Sequence, residues 1–160
     1  MKIKGLVDED FVNFKLPVMY IAFPSCTFKC DIENGAQLCQ NCEVARQPSI
    51  EISNEEIIER YISNPITEGI VLSGLEPFDS LPQLLSFIKA FRARCADPII
   101  IYTGYTEEEI VNGVFKTAYN SLCNQEIIIK FGRFRPNEEK HFDEVLGVYL
   151  ASSNQYAKRI

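Results

Sequence analysis

Residues 69–78 read GIVLSGLEPF. The run from Gly69 to Ser73 is short, largely apolar and β-branched, with no alternation of polar and apolar positions, and it stops at Ser73-Gly74. A strand covered on both faces has this signature, so the run predicts a sheet with layers packed on each side. Upstream, PVMYIAF at 17–23 predicts another strand, leading directly into a cysteine-rich segment. Ser53 and Glu56 are spaced as a capping box opening a helix over 54–63, with Ile57, Ile58, Tyr61 and Ile62 on one face and Asn64-Pro65 ending it. Downstream, Ser80 is placed to cap a helix whose stripe of Leu81, Leu84, Leu85, Ile88 and Phe91 runs to about residue 94 and marks core.

PIIIY at 98–102 repeats the buried-strand pattern, and Thr106 with Glu109 offers a second capping box for a helix over about 107–118. EIIIKF at 126–131 predicts a fourth strand, GRFRPNEEKHFDE at 132–144 a polar loop with room for a short helix, and VLGVYL at 145–150 a fifth strand with Gly147 as a candidate bulge. Strands alternating with helices imply βαβ units, a parallel sheet and right-handed crossovers. Five such strands cannot close an eight-stranded barrel. The expectation is an α/β fold: a single domain over 1–160, built as a partial (βα) barrel of about five mainly parallel strands.

At 160 residues there is length for one core, and 46% hydrophobic with 24% charged residues favours neither disorder nor a membrane class. A formal net charge of −6 argues against a general nucleic-acid binder. Lys130, Arg133 and Arg135 could form a local basic patch or a solvated loop. No apolar run approaches eighteen residues, and MKIKGLVDEDFVNF has no signal-type apolar core, so no membrane association and a cytoplasmic location are expected. In a reducing compartment, crowded cysteines are metal ligands or redox centres rather than disulfides. Cys95 and Cys123 sit apart in apolar surroundings and are expected in the core.

Three unusual segments follow three predicted strands: CTFKCDIENGAQLCQNC at 26–42, SGLEPF at 73–78 and TGYT at 103–106. In parallel α/β sheets the carboxyl ends of the strands form one rim where ligand sites are built, so a cofactor is expected at that rim. From spacing alone, Cys26, Cys30, Cys39 and Cys42 suit a four-thiolate zinc staple in a non-catalytic adaptor, or an iron–sulfur cluster that becomes catalytically interesting if one iron lacks a cysteine.

Cys26-Thr-Phe-Lys-Cys30 resembles the first half of the radical S-adenosylmethionine motif C-x3-C-x2-C, whose three cysteines bind a [4Fe–4S] cluster. The spacing then departs from the family: eight residues separate Cys30 from Cys39 and eleven separate it from Cys42, where two are usual. Ser73-Gly74-Leu75-Glu76-Pro77 resembles the family's G-G-E-P element, with Leu75 in place of one glycine. Tyr102-Thr-Gly-Tyr105 followed by TEEEI is similar to a segment of the activating enzymes of anaerobic ribonucleotide reductase, as is Ser152-Ser-Asn-Gln155 near the end. The resemblance is distributed from about residue 19 to 160.

The resemblance implies Cys26, Cys30 and Cys39 as cluster ligands, because Cys39-Gln-Asn resembles the end of the activase motif. Cys42 is left as an unligated thiol near the cluster, a replacement ligand or a packing residue. It implies S-adenosylmethionine contacts for Ser73, Gly74 and Glu76, with Thr103 and Gly104 lining the same pocket. Phe28 would cover the cluster or the adenine, or anchor its loop; His141 is read as a surface residue. The implied activity is reductive cleavage of S-adenosylmethionine to a 5′-deoxyadenosyl radical, which takes hydrogen from a glycine of the catalytic subunit of an anaerobic ribonucleoside-triphosphate reductase. A low-potential donor such as flavodoxin or ferredoxin would supply the electron. Another glycyl-radical protein, another radical target, and the zinc adaptor are the competing readings.

Overall fold

The computed structural model describes residues 1–160. Its strands are β1 (Lys2–Ile3), β2 (Gly5–Asp10), β3 (Val18–Phe23), β4 (Ile50–Glu51), β5 (Ile70–Gly74), β6 (Ile99–Tyr102), β7 (Ile127–Phe131), β8 (His141–Asp143), β9 (Val148–Leu150) and β10 (Tyr156–Arg159). Its helices are α1 (Lys29–Asn34), α2 (Cys42–Arg46), α3 (Asn54–Ile62), α4 (Leu81–Arg92), α5 (Glu107–Val111) and α6 (Lys116–Leu122), with a 3₁₀ turn at Pro77–Ser80. Six strands form the main sheet in the order β10-β7-β6-β5-β3-β2. The inner four pair in parallel, and β2 and β10 flank them antiparallel.

The four apolar runs form the parallel strands because both sheet faces are buried. One face presents Met19, Ile21, Ile70, Leu72, Ile99, Ile101, Ile127 and Ile129 to a core shared with α3 and α4. The opposite face presents Val18, Val71, Ile100 and Ile128, packed with Phe14, Leu146, Leu150 and Ala157. Two residues further along each strand, on that same second face, stand Tyr20, Ser73, Tyr102 and Lys130. All four line a cavity. One step of the pleat therefore turns an apolar floor into the wall of a site at the carboxyl ends.

Helix α3 starts as expected, with Glu56 N–H donating to Ser53 Oγ at 3.0 Å, and Ile57, Ile58 and Tyr61 are buried, but Ile62 is exposed. Ser80 makes no capping bond to α4. The helix is held by Leu84, Phe87, Ile88 and Phe91, all buried, each contributing about 1.5–3 kcal/mol relative to exposure. The helix expected over 107–118 is broken into α5 and α6 around Gly113, where a side chain would collide with the Glu109 carbonyl oxygen. Thr106 and Glu109 do form the complete capping box.

Residues 145–150 do not join the main sheet. β9 pairs antiparallel with β8, and Gly147 at φ 71° belongs to the turn between them, whose amide donates to the Asp143 carbonyl at 2.7 Å. Gly147 is thus a turn residue rather than a bulge. The edge strands β2 (GLVDED) and β10 (YAKR) add to the expected strands and carry no buried-strand signature, because an edge exposes alternate side chains and reads as polar. Cys95 and Cys123 are half-buried rather than enclosed. Lys130 and Arg133, read from sequence as part of a possible surface patch, are buried, whereas the Arg135 side chain is exposed.

Candidate functional site

The cavity has a volume of about 300 Å³ and opens at the carboxyl ends of β3, β5, β6 and β7. Cys26, Cys30 and Cys39 line it; Cys42 does not. Loop contacts explain this division. After β3, the Ser25 carbonyl accepts from Glu76 N–H at 2.8 Å, and Thr27 N–H donates to Asp79 Oδ2 at 2.6 Å, fixing Cys26 between them. Phe28, at φ 51°, turns the chain into α1, which carries Cys30. Phe28 is not among the residues lining the cavity; its amide donates to Cys26 Sγ at 3.2 Å.

The insertion DIENGAQL is closed by one carboxylate. Asp31 Oδ1 accepts from both Leu38 N–H and Cys39 N–H, each at 2.8 Å, so the chain folds back after Gly35 and sets Cys39 beside Cys30. Asn41 then reaches across to donate from Nδ2 to the Gly74 carbonyl at 2.6 Å, and Cys42 begins α2 on the far side of that tether. A spacing of eight residues in sequence thus becomes a short distance in space.

The second wall is the SGLEP segment. Gly74 ends β5 at φ 87°, pressed against β3. Glu76 is buried, and its carboxylate accepts from Thr103 Oγ1 at 2.8 Å, Gly104 N–H at 2.8 Å and Phe78 N–H at 3.1 Å. It therefore staples the loop after β5 to the loop after β6, using three of about four acceptor positions. Burial pushes its pKa up to about 7, against those three hydrogen bonds. Thr103 is buried and Gly104 lines the cavity beside the Glu76 carboxylate. His141, expected at the surface, stands on the β8–β9 hairpin half-buried, with its Nδ1 enclosed and without a hydrogen-bond partner, and it is not among the lining residues.

Sequence reading missed Lys130 as a site residue. Its ammonium donates to the Gly132 carbonyl at 2.8 Å, and burial lowers its pKa to about 8 against the attraction of Glu76. The signal was available: a lysine next to the carboxyl end of the otherwise apolar strand IIIKF lies at the rim where sites are built. Tyr20, Tyr102, Asn41 and Gln155 also line the cavity without having been singled out.

Thiolates are the donors that iron–sulfur clusters require. Burial pushes Cys26 up to about 12, and burial with the neighbouring Cys39 and Asp31 pushes Cys30 up to about 11, so both stay protonated at neutral pH unless a cation compensates. Metal ligation supplies that charge and releases the protons. No three Cys, His, Asp or Glu side chains are gathered tightly enough to hold a single ion; a cubane does not ask for that, since each thiolate binds a different iron. The donor set and its placement fit a cluster.

A family model described as "4Fe-4S single cluster domain" matches residues 18–156. The chain belongs to this family. It is a 4Fe–4S domain of the radical S-adenosylmethionine type, and the match runs from the first residue of β3 to the first of β10. Searches of curated proteins and of solved structures gave no match. The α/β architecture expected from sequence, with its mostly parallel sheet, is the one found in this 4Fe–4S domain. No helix of the domain is long and apolar enough to cross a membrane.

Proposed function

We propose that this 4Fe–4S domain is a radical S-adenosylmethionine activase that installs a glycyl radical on an anaerobic ribonucleoside-triphosphate reductase. The observation carrying this reading is that three clustered cysteines, the SGLEP strand end and the TGY strand end all line one cavity. When bound and reduced, a [4Fe–4S] cluster with one iron free of cysteine supplies the electron that splits the sulfonium of S-adenosylmethionine into methionine and a 5′-deoxyadenosyl radical. Cys26, Cys30 and Cys39 would hold it.

The chain's own residues have distinct tasks around that chemistry. Glu76, with one acceptor position unspent, and the strand-end backbone at Ser73-Gly74 suit the substrate's ammonium; Lys130, with a single hydrogen bond to its own chain, suits the carboxylate. Thr103 and Gly104 fix the Glu76 carboxylate in place. Val12 and Tyr149, 72% and 73% exposed, both line the cavity, so apolar surface beside its opening is available to a macromolecular target. A low-potential flavodoxin or ferredoxin in the cytoplasm would provide the electron.

The opposed pKa displacements give a signed prediction. Glu76 gains its charge as pH rises through about 7, and Lys130 loses its charge above about 8. Affinity for S-adenosylmethionine should therefore rise from pH 6, peak between those values and fall by pH 9, the two groups titrating as a pair. Equilibrium binding across that range should show the acidic limb vanish in Glu76→Gln; a flat profile in the unaltered protein would reject both assignments.

The function itself is tested by mixing reduced, cluster-loaded protein with S-adenosylmethionine and an anaerobic reductase and recording electron paramagnetic resonance. A glycyl radical on the reductase is the expected result. Cleavage of S-adenosylmethionine without that radical would reject the target and leave the chemistry standing.

A further inference from the structure

Two segments that the cofactor chemistry leaves without a task, the acidic helix after TGYT and the SSNQ segment, are joined by one arginine. Arg133 follows β7, and its side chain is only 9% exposed. Its guanidinium makes a two-pronged contact with Glu109 of α5, at 2.8 and 2.7 Å, and lies 5.6 Å from the centre of the Tyr105 ring. Its backbone is set by the SSNQ segment: Asn154 Nδ2 donates to the Arg133 carbonyl at 2.9 Å, and Gln155 Nε2 donates to the Gly132 carbonyl at 3.2 Å. Such a bidentate pair is among the geometrically best defined of side-chain contacts.

The pair meets α1 at both ends. Lys29 Nζ stands 3.3 Å from Glu109 Oε1 and 4.4 Å from the centre of the Tyr105 ring, and Glu33 Oε1 stands 3.3 Å from Arg133 Nε. Between these two residues lies Cys30. No residue of α1 is buried, so this six-residue helix has no core contact to place it. Its lysine finds an acid and its glutamate finds a base, both belonging to the same preformed pair.

We infer that Lys29 and Glu33, gripped by the Glu109–Arg133 pair, form an ionic latch that positions Cys30 for cluster retention. The inference rests on the cluster assignment above. SSNQ and the acidic helix serve the metal site at one remove, by holding the latch's fixed half. Lys29 and Glu33 are 42% and 55% exposed, so the arms of the latch are open to salt, while in its fixed half Arg133 is buried and Glu109 half-buried, less open than the arms.

The test uses cluster-loaded protein and an iron chelator, with iron release followed at low and high salt. The double variant Lys29→Gln/Glu33→Gln removes the two part-exposed arms, Lys29 also lining the cavity, and leaves the Glu109–Arg133 pair intact; because only a lost ion pair is masked by salt, the salt dependence separates the latch from any effect on the lining. It should release iron about threefold to fivefold faster at low salt, the yield of two partly exposed ion pairs, with faster deuterium uptake over residues 29–34 and an unchanged melting temperature of the metal-free chain. High salt should speed release from the unaltered protein towards the variant's rate and leave the variant's rate unmoved. Glu109→Gln, which keeps an oxygen for the Thr106 amide, should raise release about tenfold or more, because charged hydrogen bonds are lost. Release from the double variant at the unaltered rate would overturn the latch alone. An unaltered protein that takes up no iron would overturn the cluster assignment, and the latch with it.

Discussion

Cys39→Ser is expected to yield a folded chain that takes up essentially no cluster, whereas Cys42→Ser should load as the unaltered protein does. Cys26, Cys30 and Cys39 face one cavity, and Cys42 lies beyond the Asn41–Gly74 tether. The return of the insertion depends on Asp31, whose single oxygen takes two amides at 2.8 Å. Asp31→Ala should accordingly imitate Cys39→Ser in part, leaving all four thiols present while loading falls. Iron and sulfide analysis with the broad visible absorption of the cluster measures each variant. Full loading of Cys39→Ser together with failure of Cys42→Ser would make Cys42 the third ligand.

Gly74→Ala should be the most destabilising single-atom addition near the site. Gly74 stands at φ 87°, where a side chain is strained, and its added Cβ would fall 2.7 Å from both Ala22 Cβ and Phe23 N. Phe23 and Gly74 are register partners of two hydrogen-bonded parallel strands, so neither backbone can withdraw without breaking the ladder. Overpacking of this kind costs about 3 kcal/mol or more, worth roughly 10 °C in melting temperature for a chain of this size. Gly104→Ala is the control. Its nearest neighbours would lie at 3.6 Å, an ordinary contact, and thermal melts should barely move. Equal melting temperatures for the two variants would show that close approach at Gly74 is not what its glycine serves.

Much of this was legible in sequence where one physical requirement dominated. GIVLS, PIIIY and EIIIKF read as parallel strands because burial on both faces leaves no alternation of polar and apolar positions through their centres, and the motifs after them share one rim. The Thr106–Glu109 capping box formed as its spacing required. What escaped depended on partners distant in sequence. Gly147 followed the hairpin turn rather than a bulge because β9 found β8 instead of the main sheet. Lys130 looked like surface because a basic residue near Arg133 and Arg135 suggests a patch, while the pleat in fact points it at the cavity alongside Tyr20, Ser73 and Tyr102. In sequence Cys39 stands out by resemblance alone; the physical reason, a carboxylate eight positions earlier that closes the insertion, emerges only in three dimensions. Ser80, well spaced as a cap, makes no capping bond: it closes the 3₁₀ turn that runs directly into α4, and Pro82 at the second helical position has no N–H to give it.

The proposed function stands on three thiolates at this rim holding a cluster able to act on S-adenosylmethionine. It is tested by the yield of 5′-deoxyadenosine and methionine when protein treated with iron and sulfide, then reduced, meets S-adenosylmethionine in the absence of oxygen, measured for the unaltered chain, Cys42→Ser and Cys39→Ser. Both products are expected in equal amounts from the first two and neither from the third. Loaded, reduced protein that binds S-adenosylmethionine and returns it intact would contradict it.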